Sequence, residues 1–468
     1  MFYTTPYYST VTPPYTTLHH PIQPYTARSA TTQPYTIMKK LLTIITLAIC
    51  SMTMMAQDTL HIGYLYYEML PDEAGYYSLA VVKHESYYQD LQSVVIPESI
   101  TYLGMTMPVT SIGVRAFASC HSLTSVTISN GITAIGERAF ANCSSLISIT
   151  IPNSVTEIGD GAFESCISLT SITLPDNITE IKCDAFALCE SLTSITIPNG
   201  VKSIGDGAFM LCESLSDLHI PNSVTQIGDQ AFRACESLTS ITIPNSVKTI
   251  GDKAFSLCDL LTSVHIGDGV TSIGKGAFRG CESLTTVSIG NSITSIGEEA
   301  FEETAIYNDP SNWKNGALCI DSCLIKVSKY VPYAYTIRND VRFIADKAFI
   351  ECFSLTSVII PNSVKSIGAG AFVDCYLLTS VSIPNSVTSI GEGAFADCES
   401  LPSITIPNSV TEIGGGAFYY CKSLETIAFD GTMEQWHAID KHYLWNYDTP
   451  ATHVQCTDGE VELEIINE

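Results

Sequence analysis

The residues with the clearest capacity for chemistry are cysteines. The chain contains 17 of them. Stacked at one strand spacing, neighbouring cysteines would have Cβ atoms ~4.8 Å apart, whereas a disulfide needs ~3.8 Å. No histidine recurs with them to complete a zinc site, and Thr304 replaces one of them. We therefore predict buried free thiols that pack as small apolar groups. Twelve of them share one position, three residues after a phenylalanine: Cys120, Cys143, Cys166, Cys189, Cys212, Cys235, Cys258, Cys281, Cys352, Cys375, Cys398 and Cys421.

The remaining cysteines fall outside this row. Cys183 takes the place of an acidic residue and should be exposed. Cys319 and Cys323 flank a predicted turn and could face each other across a hairpin, so the pattern leaves open whether they are bonded. Cys456 has no evident partner.

Other groups that could catalyse a reaction or bind phosphate are dispersed. Gly-x-Gly occurs at Gly159, Gly205 and Gly391, but without the helix that a phosphate loop requires. We interpret the recurrent glycine as a bend with positive φ. Among ten histidines, His219 and His265 have no evident partner for catalysis or metal binding. We predict a non-enzymatic protein with no catalytic residues, no metal and no cofactor.

The formal net charge of −26 argues against binding to nucleic acid, whose phosphates require lysine and arginine. It also disfavours anionic membrane surfaces. Acids recur at one place, as at Asp206, Asp229 and Asp252, and we interpret them as a solvated outer face. The alternative is a calcium-binding stripe, but calcium needs several oxygens within ~2.5 Å of one ion.

These groups are positioned by a sequence repeat of constant length. The dipeptide Ala-Phe recurs in register thirteen times, at Phe117, Phe140, Phe163, Phe186, Phe209, Phe232, Phe255, Phe278 and Phe301, and again at Phe349, Phe372, Phe395 and Phe418, with twenty-three positions between successive copies in each run. Within one unit, Leu169-x-x-Ile-x-Leu alternates as a strand with one buried face does. Pro175 ends the strand, a turn follows, and Ile178-x-x-Ile181 offers a second inward segment.

One unit cannot bury this many apolar residues, but stacked units can. A period of 20–29 residues with L-x-x-L-x-L is typical of leucine-rich repeats. We therefore predict a repeat solenoid, a right-handed coil with a parallel β-sheet on its concave face, mostly β and loop with little helix. Thirteen coils at ~4.8 Å each would extend about 60 Å, with phenylalanine stacked on phenylalanine.

The unit L-x-x-I-x-I-P-x-x-V-x-x-I-G-x-x-A-F-x-x-C-x-S resembles the BspA-like, treponemal-type leucine-rich repeat of bacterial surface proteins. The resemblance covers about residues 90–430. Residues 57–112 are similar to the N-terminal cap of that family, and residues 426–468 to its C-terminal cap. The resemblance implies a secreted or surface-exposed protein and, for some members, adhesion. No cell-wall anchor is visible after the cap, which leaves surface retention open.

The part of the chain before Gln57 is predicted to contain two segments. Met38-Lys39-Lys40, an apolar stretch from Leu41 to Cys50 and a small residue at Ala56 are typical of a signal peptide, residues 38–56. Residues 1–37 would then be a non-native extension from a misassigned start; the alternative is a genuine extension. Lipidation at Cys50 is disfavoured because Ile49 is not small. The mature chain, from Gln57, should contain no transmembrane segment and be monomeric.

The rest of the chain divides by its periodicity. Repeats of constant length occupy 113–301 and 346–425. Between them, residues 302–345 form an irregular island with hairpin character, rich in aromatic residues: Tyr307, Trp313, Tyr330, Tyr333 and Tyr335. Interfaces favour tyrosine and tryptophan as anchors, so we expect the ligand to bind there, mainly on Trp313 and Tyr333. The alternative is a hairpin that only connects the two runs of repeats and binds no ligand.

A second candidate surface is formed by the outward positions of the strands. They are mostly serine and threonine, which suit a hydrogen-bonding platform but are also ordinary residues in strands. At Asp217, His219 and His265 the residue differs from the serine or threonine of the other repeats. These three residues are therefore candidate ligand contacts. The sequence therefore predicts a secreted or cell-surface binding and adhesion protein for an extracellular protein or glycan. The alternative is a periplasmic or surface structural scaffold without a host ligand.

Overall fold

The computed structural model describes residues 59–71, 76–83, 88 and 90–463. The predicted extension and signal peptide lie outside these residues. Within them, no helix is long and apolar enough to cross a membrane. The only α-helices in this part of the chain are α1 (Ala305–Asn308) and α2 (Met433–Ala438), so the prediction of mostly strand and loop is confirmed.

The N-terminal cap is built from six strands: β1 (Leu60–Ile62), β2 (Leu65–Pro71), β3 (Tyr77–Val82), β4 (Ser93–Ile96), β5 (Ser99–Tyr102) and β6 (Met105–Ile112). Strands β1, β2 and β3 pair antiparallel, and β5 and β6 form a hairpin. β4 and β6 then pair in parallel with the first strands of the repeats. The cap thus converts antiparallel pairing into the parallel stacking of the coils.

Each coil contributes one strand to a principal row and a shorter one to a return row. The principal row contains β7 (Ser125–Ile128), β9 (Ser148–Thr150), β11 (Ser171–Thr173), β13 (Ser194–Thr196), β15 (Asp217–His219), β17 (Ser240–Ile243), β19 (Ser263–Ile266), β21 (Thr286–Ile289), β26 (Ala334–Thr336), β28 (Ser357–Ile359), β30 (Ser380–Ser382), β32 (Ser403–Ile406) and β34 (Thr426–Phe429). The return row contains β8 (Ala134–Ile135), β10 (Glu157–Ile158), β12 (Glu180–Ile181), β14 (Ser203–Ile204), β16 (Gln226–Ile227), β18 (Thr249–Ile250), β20 (Ser272–Ile273), β22 (Ser295–Ile296), β27 (Phe343–Ile344), β29 (Ser366–Ile367), β31 (Ser389–Ile390) and β33 (Glu412–Ile413).

Strands of successive coils pair in parallel and in register. Each residue therefore faces its equivalent in the next repeat, as Ile172 faces Ile195. The principal row is divided into separate sheets between β15 and β17, between β21 and β26, and between β30 and β32. At the last break Pro402 stands where other coils have a threonine N–H that donates across the row, as Thr379 does to the Thr356 carbonyl. A proline cannot supply that bond.

The core is a column of stacked phenylalanine rings, as the repeat predicts. From Phe117 to Phe301, successive ring centroids lie 5.1–5.5 Å apart and the ring planes agree within 13°. Tyr88 stacks on the first ring at 5.1 Å, and Trp445 closes the far end edge-on against Phe418. Aromatic residues of both caps therefore cover the ends of the column.

The twelve cysteines of the row are buried and form no disulfide bonds, which confirms the prediction of free thiols. Ten of the twelve thiols donate to the phenylalanine carbonyl of the coil before. Cys143 Sγ, for example, donates to the Phe117 carbonyl at 3.1 Å. Burial raises the pKa of Cys235 to about 12, so this thiol stays protonated at neutral pH. Thr304 fills the same slot and donates to the Phe301 carbonyl at 2.7 Å.

The other described cysteines are also free. Cys183 is exposed, as predicted, and Cys456 is buried. Cys319 and Cys323 lie on the predicted hairpin, but Cys319 faces Leu324 and Cys323 faces Ile320. The open question about this pair is therefore answered: both thiols are free.

The recurrent glycine after the return strand does not have positive φ, so that prediction was wrong. Positive φ occurs two residues later, at Gly207 but also at Arg138 and Lys253 in other coils. At Gly205 a Cβ atom would lie 2.7 Å from the backbone nitrogen of Cys183 in the preceding coil. Glycine recurs there because adjacent backbones approach too closely for a side chain.

The island consists of α1, a 3₁₀ turn (Pro310–Asn312) and strands β23 (Trp313–Lys314), β24 (Ala317–Ile320) and β25 (Cys323–Val327). The three strands pair antiparallel in sequence. β25 then pairs in parallel with β27, and the principal row resumes at β26, within residues 302–345. The last coil is followed by α2, β35 (Asp440–Lys441), β36 (His453–Cys456) and β37 (Gly459–Glu462), which we call the C-terminal cap.

The glycine finding predicts the effect of two matched substitutions. Gly205→Ala places a methyl group against the backbone of the neighbouring coil and should cost about 1–3 kcal/mol of unfolding free energy. Gly393→Ala meets nothing closer than Ala396 Cβ at 3.8 Å and should cost less, about 1 kcal/mol, for its positive φ. Urea denaturation of both variants checks the order. A larger loss at Gly393 would contradict the close-approach explanation.

Candidate functional site

The outward side chains of the principal row form an exposed strip, which we call the outer strand face. Ser171 and Thr173 are exposed on either side of buried Ile172, and Ser194 and Thr196 repeat this pattern one coil later. The alternation predicted from the sequence is therefore confirmed. Parallel register aligns these side chains in two lines along the solenoid.

Two other rows of threonines, which we call the structural threonine rows, join neighbouring coils. In the position just before the principal strand, Thr170 Oγ1 donates to the Ile147 carbonyl and Thr193 Oγ1 to the Thr170 carbonyl, at 3.4 and 3.3 Å. Before the return strand, Thr225 Oγ1 donates to the Lys202 carbonyl at 3.1 Å. These hydroxyls tie one coil to the previous one.

The serines and threonines of the outer strand face lack such bonds. Their hydroxyls have no hydrogen-bond partner within the part of the chain that the structure describes. Each hydroxyl has donor and acceptor capacity, and here that capacity is directed at solvent. The outer strand face therefore differs from the two structural threonine rows by being free to bind another molecule.

Asp217, His219 and His265 lie on this face, as predicted, and all three are exposed. Asp217 faces Ser194 and His219 faces Thr196 in the strand before. His265 lies two coils further on and faces Ser288 of β21, the last principal strand before the island. These residues interrupt the rows of hydroxyls but do not form a cluster of their own.

The island brings three of its aromatic residues together. Tyr307, Trp313 and Tyr330 line one open cavity of about 540 Å³, which we call the aromatic cavity. The Tyr307 and Trp313 rings meet edge-on at 5.2 Å, and Trp313 Nε1 donates to the Tyr307 carbonyl at 2.8 Å. Thr304 caps α1 by accepting from the Tyr307 N–H, which fixes this pair of rings on the solenoid.

Charged side chains surround these rings. Lys326 pairs with Glu302 at 3.4 Å and Lys329 with Glu351 at 3.8 Å, and all four line the cavity. Tyr330 is 85% exposed. The aromatic cavity thus offers one exposed ring and two partly buried rings within a rim of paired charges.

The other two island tyrosines lie elsewhere. Tyr333 is 69% exposed, and its carbonyl accepts from the N–H and the hydroxyl of Thr356, the residue just before the principal strand β28. Tyr335 is buried in the core beneath that row and meets Phe349 edge-on at 5.7 Å. The two expected anchors, Trp313 and Tyr333, therefore do not line the same cavity. Trp313 belongs to the aromatic cavity, whereas Tyr333 lies just before β26, at the edge of the outer strand face and in register with Thr356.

The sequence interpretation missed one exposed aromatic pair. Phe353 and Tyr376 each directly follow a cysteine of the cysteine row, in adjacent coils. Their rings stack, with centroids 5.9 Å apart and planes within 11° of each other. The same column carries acids in the first run of repeats, as at Glu190 and Glu213. Comparing each column of the repeat, and not only the strand positions, would have revealed this change from acid to aromatic.

The acids of the return segment also form hydrogen bonds between coils, which the sequence did not reveal. Asp206 Oδ1 accepts the Asp229 N–H at 2.8 Å, and Asp229 Oδ1 accepts the Asp252 N–H at 2.7 Å. Each carboxylate thus joins two coils. Among the described residues, no group of three or more histidines, cysteines and acids could hold a metal ion.

The parallel coils, the return row, the phenylalanine column and the cysteine row define a leucine-rich-repeat solenoid. The family model for the BspA type leucine rich repeat region, in six copies, matches residues 81–216, 202–309 and 333–443. The chain belongs to this family, and the resemblance drawn from its repeat unit is confirmed. No curated protein matches the chain.

Solved structures of bacterial leucine-rich-repeat proteins are similar to the chain. A leucine rich cell surface protein from Faecalibacterium prausnitzii A2-165 is 31% identical, over 82% of this chain and 97% of its own, with a TM-score of 0.40. A leucine-rich repeat protein from Bacteroides ovatus ATCC 8483 is 26% identical, over 82% and 99%, with a TM-score of 0.44. The T. pallidum Leucine Rich Repeat protein is 29% identical, over 47% and 88%, with a TM-score of 0.33.

Proposed function

We propose that this protein is a binding module that presents its solenoid surface to an extracellular protein or glycan, with adhesion as its main use. The observation that carries the proposal is the outer strand face, whose hydroxyls are exposed and unpaired while chemically identical hydroxyls in the two structural threonine rows bond the coils together. A row of free donors and acceptors on a rigid support is suited to binding a polar ligand without reorganisation.

Specificity must come from positions that differ between coils, because near-identical coils cannot distinguish one ligand from another. On the outer strand face these positions are Asp217, His219 and His265. At its edge, just before β26, the exposed Tyr333 is a further such position. At the island they are Tyr307, Trp313 and Tyr330 of the aromatic cavity. A ligand on the outer strand face would use Tyr333 as its aromatic anchor, and one at the island would use Trp313 and Tyr330.

Binding measurements can separate these two surfaces. A glycan array and a panel of extracellular matrix proteins would identify a ligand for the full chain, and its affinity would be compared across variants. If the outer strand face carries recognition, Tyr333→Ala should weaken binding at least tenfold, or ~1.4 kcal/mol. If the aromatic cavity does, Trp313→Phe should have that effect.

Tyr443→Ala, which removes an exposed ring from the C-terminal cap, is the matched control. Melting temperatures of all variants show whether the fold is retained; Tyr333→Ala should leave it nearly unchanged because the ring is exposed. Full affinity in both Tyr333→Ala and Trp313→Phe would contradict the assignment of these residues as ligand anchors.

The location that we propose is outside the cell, secreted or on the cell surface, with export through the segment Met38–Ala56. Support comes from the family and from the cell surface protein that the chain resembles. A periplasmic or surface scaffold without a host ligand is the competing assignment.

Protease treatment of intact cells distinguishes the two locations. A surface adhesin should be lost from intact cells, and mass spectrometry should find Gln57 at or near the N-terminus of the released protein. Complete protection of the protein, with cleavage only after the outer membrane is opened, would instead support a periplasmic scaffold.

A further inference from the structure

A second cavity of the island has a different chemical character from the aromatic cavity. It measures about 370 Å³ and lies between the β23–β24–β25 hairpin and the segment that follows β26. Its polar lining is supplied by Lys314 and Asn315 of the hairpin, by Tyr335 and Thr336 of β26, and by Arg338 and Asn339 of the segment that follows. We call it the hairpin cavity.

Backbone geometry holds the polar groups of the hairpin in place. Asn315 and Gly316 both have positive φ, 52° and 78°, as a two-residue hairpin turn requires. This turn joins Trp313–Lys314 to β24. Because Trp313 is hydrogen-bonded to the Tyr307 carbonyl, Lys314 and Asn315 project from a supported turn.

The hairpin cavity has two cationic side chains in its lining, Lys314 and Arg338, on a strongly negative chain. The chain has 48 acidic residues against 22 lysines and arginines, yet no carboxylate lines this cavity. Lys314 makes no ion pair within the described residues. Arg338 is paired on one side only: its Nε donates to Asp340 at 2.6 Å and its Nη2 to the Asp321 carbonyl at 3.1 Å. Of its five donors, three therefore remain.

Tyr335 also lines the cavity, and its hydroxyl has no protein partner within the described chain. Tyr335 is only 8% exposed. Burial raises the pKa of Tyr335 to about 12, so the hydroxyl remains a neutral donor at physiological pH. A ligand in the cavity would supply the acceptor that this hydroxyl lacks.

We propose that the hairpin cavity binds a single carboxylate-bearing sugar at the end of a glycan, held by Lys314, Arg338 and the Tyr335 hydroxyl. This inference rests on the proposed binding function and names a ligand class for it. A guanidinium and an ammonium together fit a carboxylate. Asn315 and Asn339 supply both donors and acceptors for sugar hydroxyls.

Size and charge favour one terminal sugar over the other anions. The volume lies in the range of small-molecule pockets, and an aspartate or glutamate side chain of a protein ligand would leave the amides and the tyrosine hydroxyl unused. A polyanion would be repelled by the net charge of −26. A single carboxylate within the cavity is largely screened from charges more than ~8 Å away.

Ligand-detected NMR titration of the full chain tests the proposal with three probes: glucuronic acid, glucose and glutamate. Glucuronic acid should bind, and glucose and glutamate should bind at least tenfold more weakly. Lys314→Gln, an exposed change, should weaken glucuronic acid about tenfold. Tyr335→Phe keeps the ring and removes the hydroxyl, and should weaken it at least about tenfold, the value of one hydrogen bond to a charged group.

Lys329→Gln is the matched control, because it removes the same charge from the aromatic cavity and should leave glucuronic acid binding unchanged. No binding of glucuronic acid, equal binding of glucose or glutamate, or full affinity in both Lys314→Gln and Tyr335→Phe would each overturn the proposal. A chain that fails this test but still binds a matrix protein or neutral glycan retains the proposed function, so the two failures are distinguishable.

Discussion

The stacking of each coil on its neighbours in one constant register is the constraint on which the rest of the structure depends. No coil has a core of its own; Phe209 is buried only because Phe186 and Phe232 cover its two faces. The other recurrent residues serve the same stacking. Glycine permits close approach of backbones, cysteine fits beside the phenylalanine and bonds its carbonyl, and aspartate and threonine join adjacent coils. Residues used in this way are unavailable to a ligand.

We therefore expect ligand binding at positions that stacking leaves free. On the regular coils these positions form the outer strand face. At the island the phenylalanine column stops at Phe301 and restarts at Phe349, with Tyr335 placed edge-on against the new first ring. The chain between them is free of the repeat and forms both the aromatic cavity and the hairpin cavity. The interruption of the solenoid supplies the chemical variety that the repeats lack.

The sequence predicted what repetition determines and little of what it does not. Thirteen copies of Ala-Phe showed the register, the phenylalanine column and the free thiols before any coordinates. The recurrence of Gly205 showed that glycine is required there but not why, because distances between coils are absent from a single unit. The positions of Trp313, Tyr333 and Tyr335 depend on hairpin turns without periodicity. Their separation into a cavity, the edge of a strand face and the core could therefore not be derived. The unpaired hydroxyl of Tyr335 is likewise visible only in three dimensions.

Two deletions that differ by a single amino acid test the register most directly. Removing 194–216 takes out one complete repeat and joins Thr193 to Asp217, so the following strand keeps Leu218 facing inward. Removing 194–217 turns Leu218 outward and His219 into the core, because side chains alternate along a strand. The first deletion should retain the circular dichroism spectrum and one cooperative melting transition within a few degrees of the full chain, since stacked repeats contribute nearly additively. The second should melt markedly lower or lose cooperativity. Equal stability of the two would contradict the account.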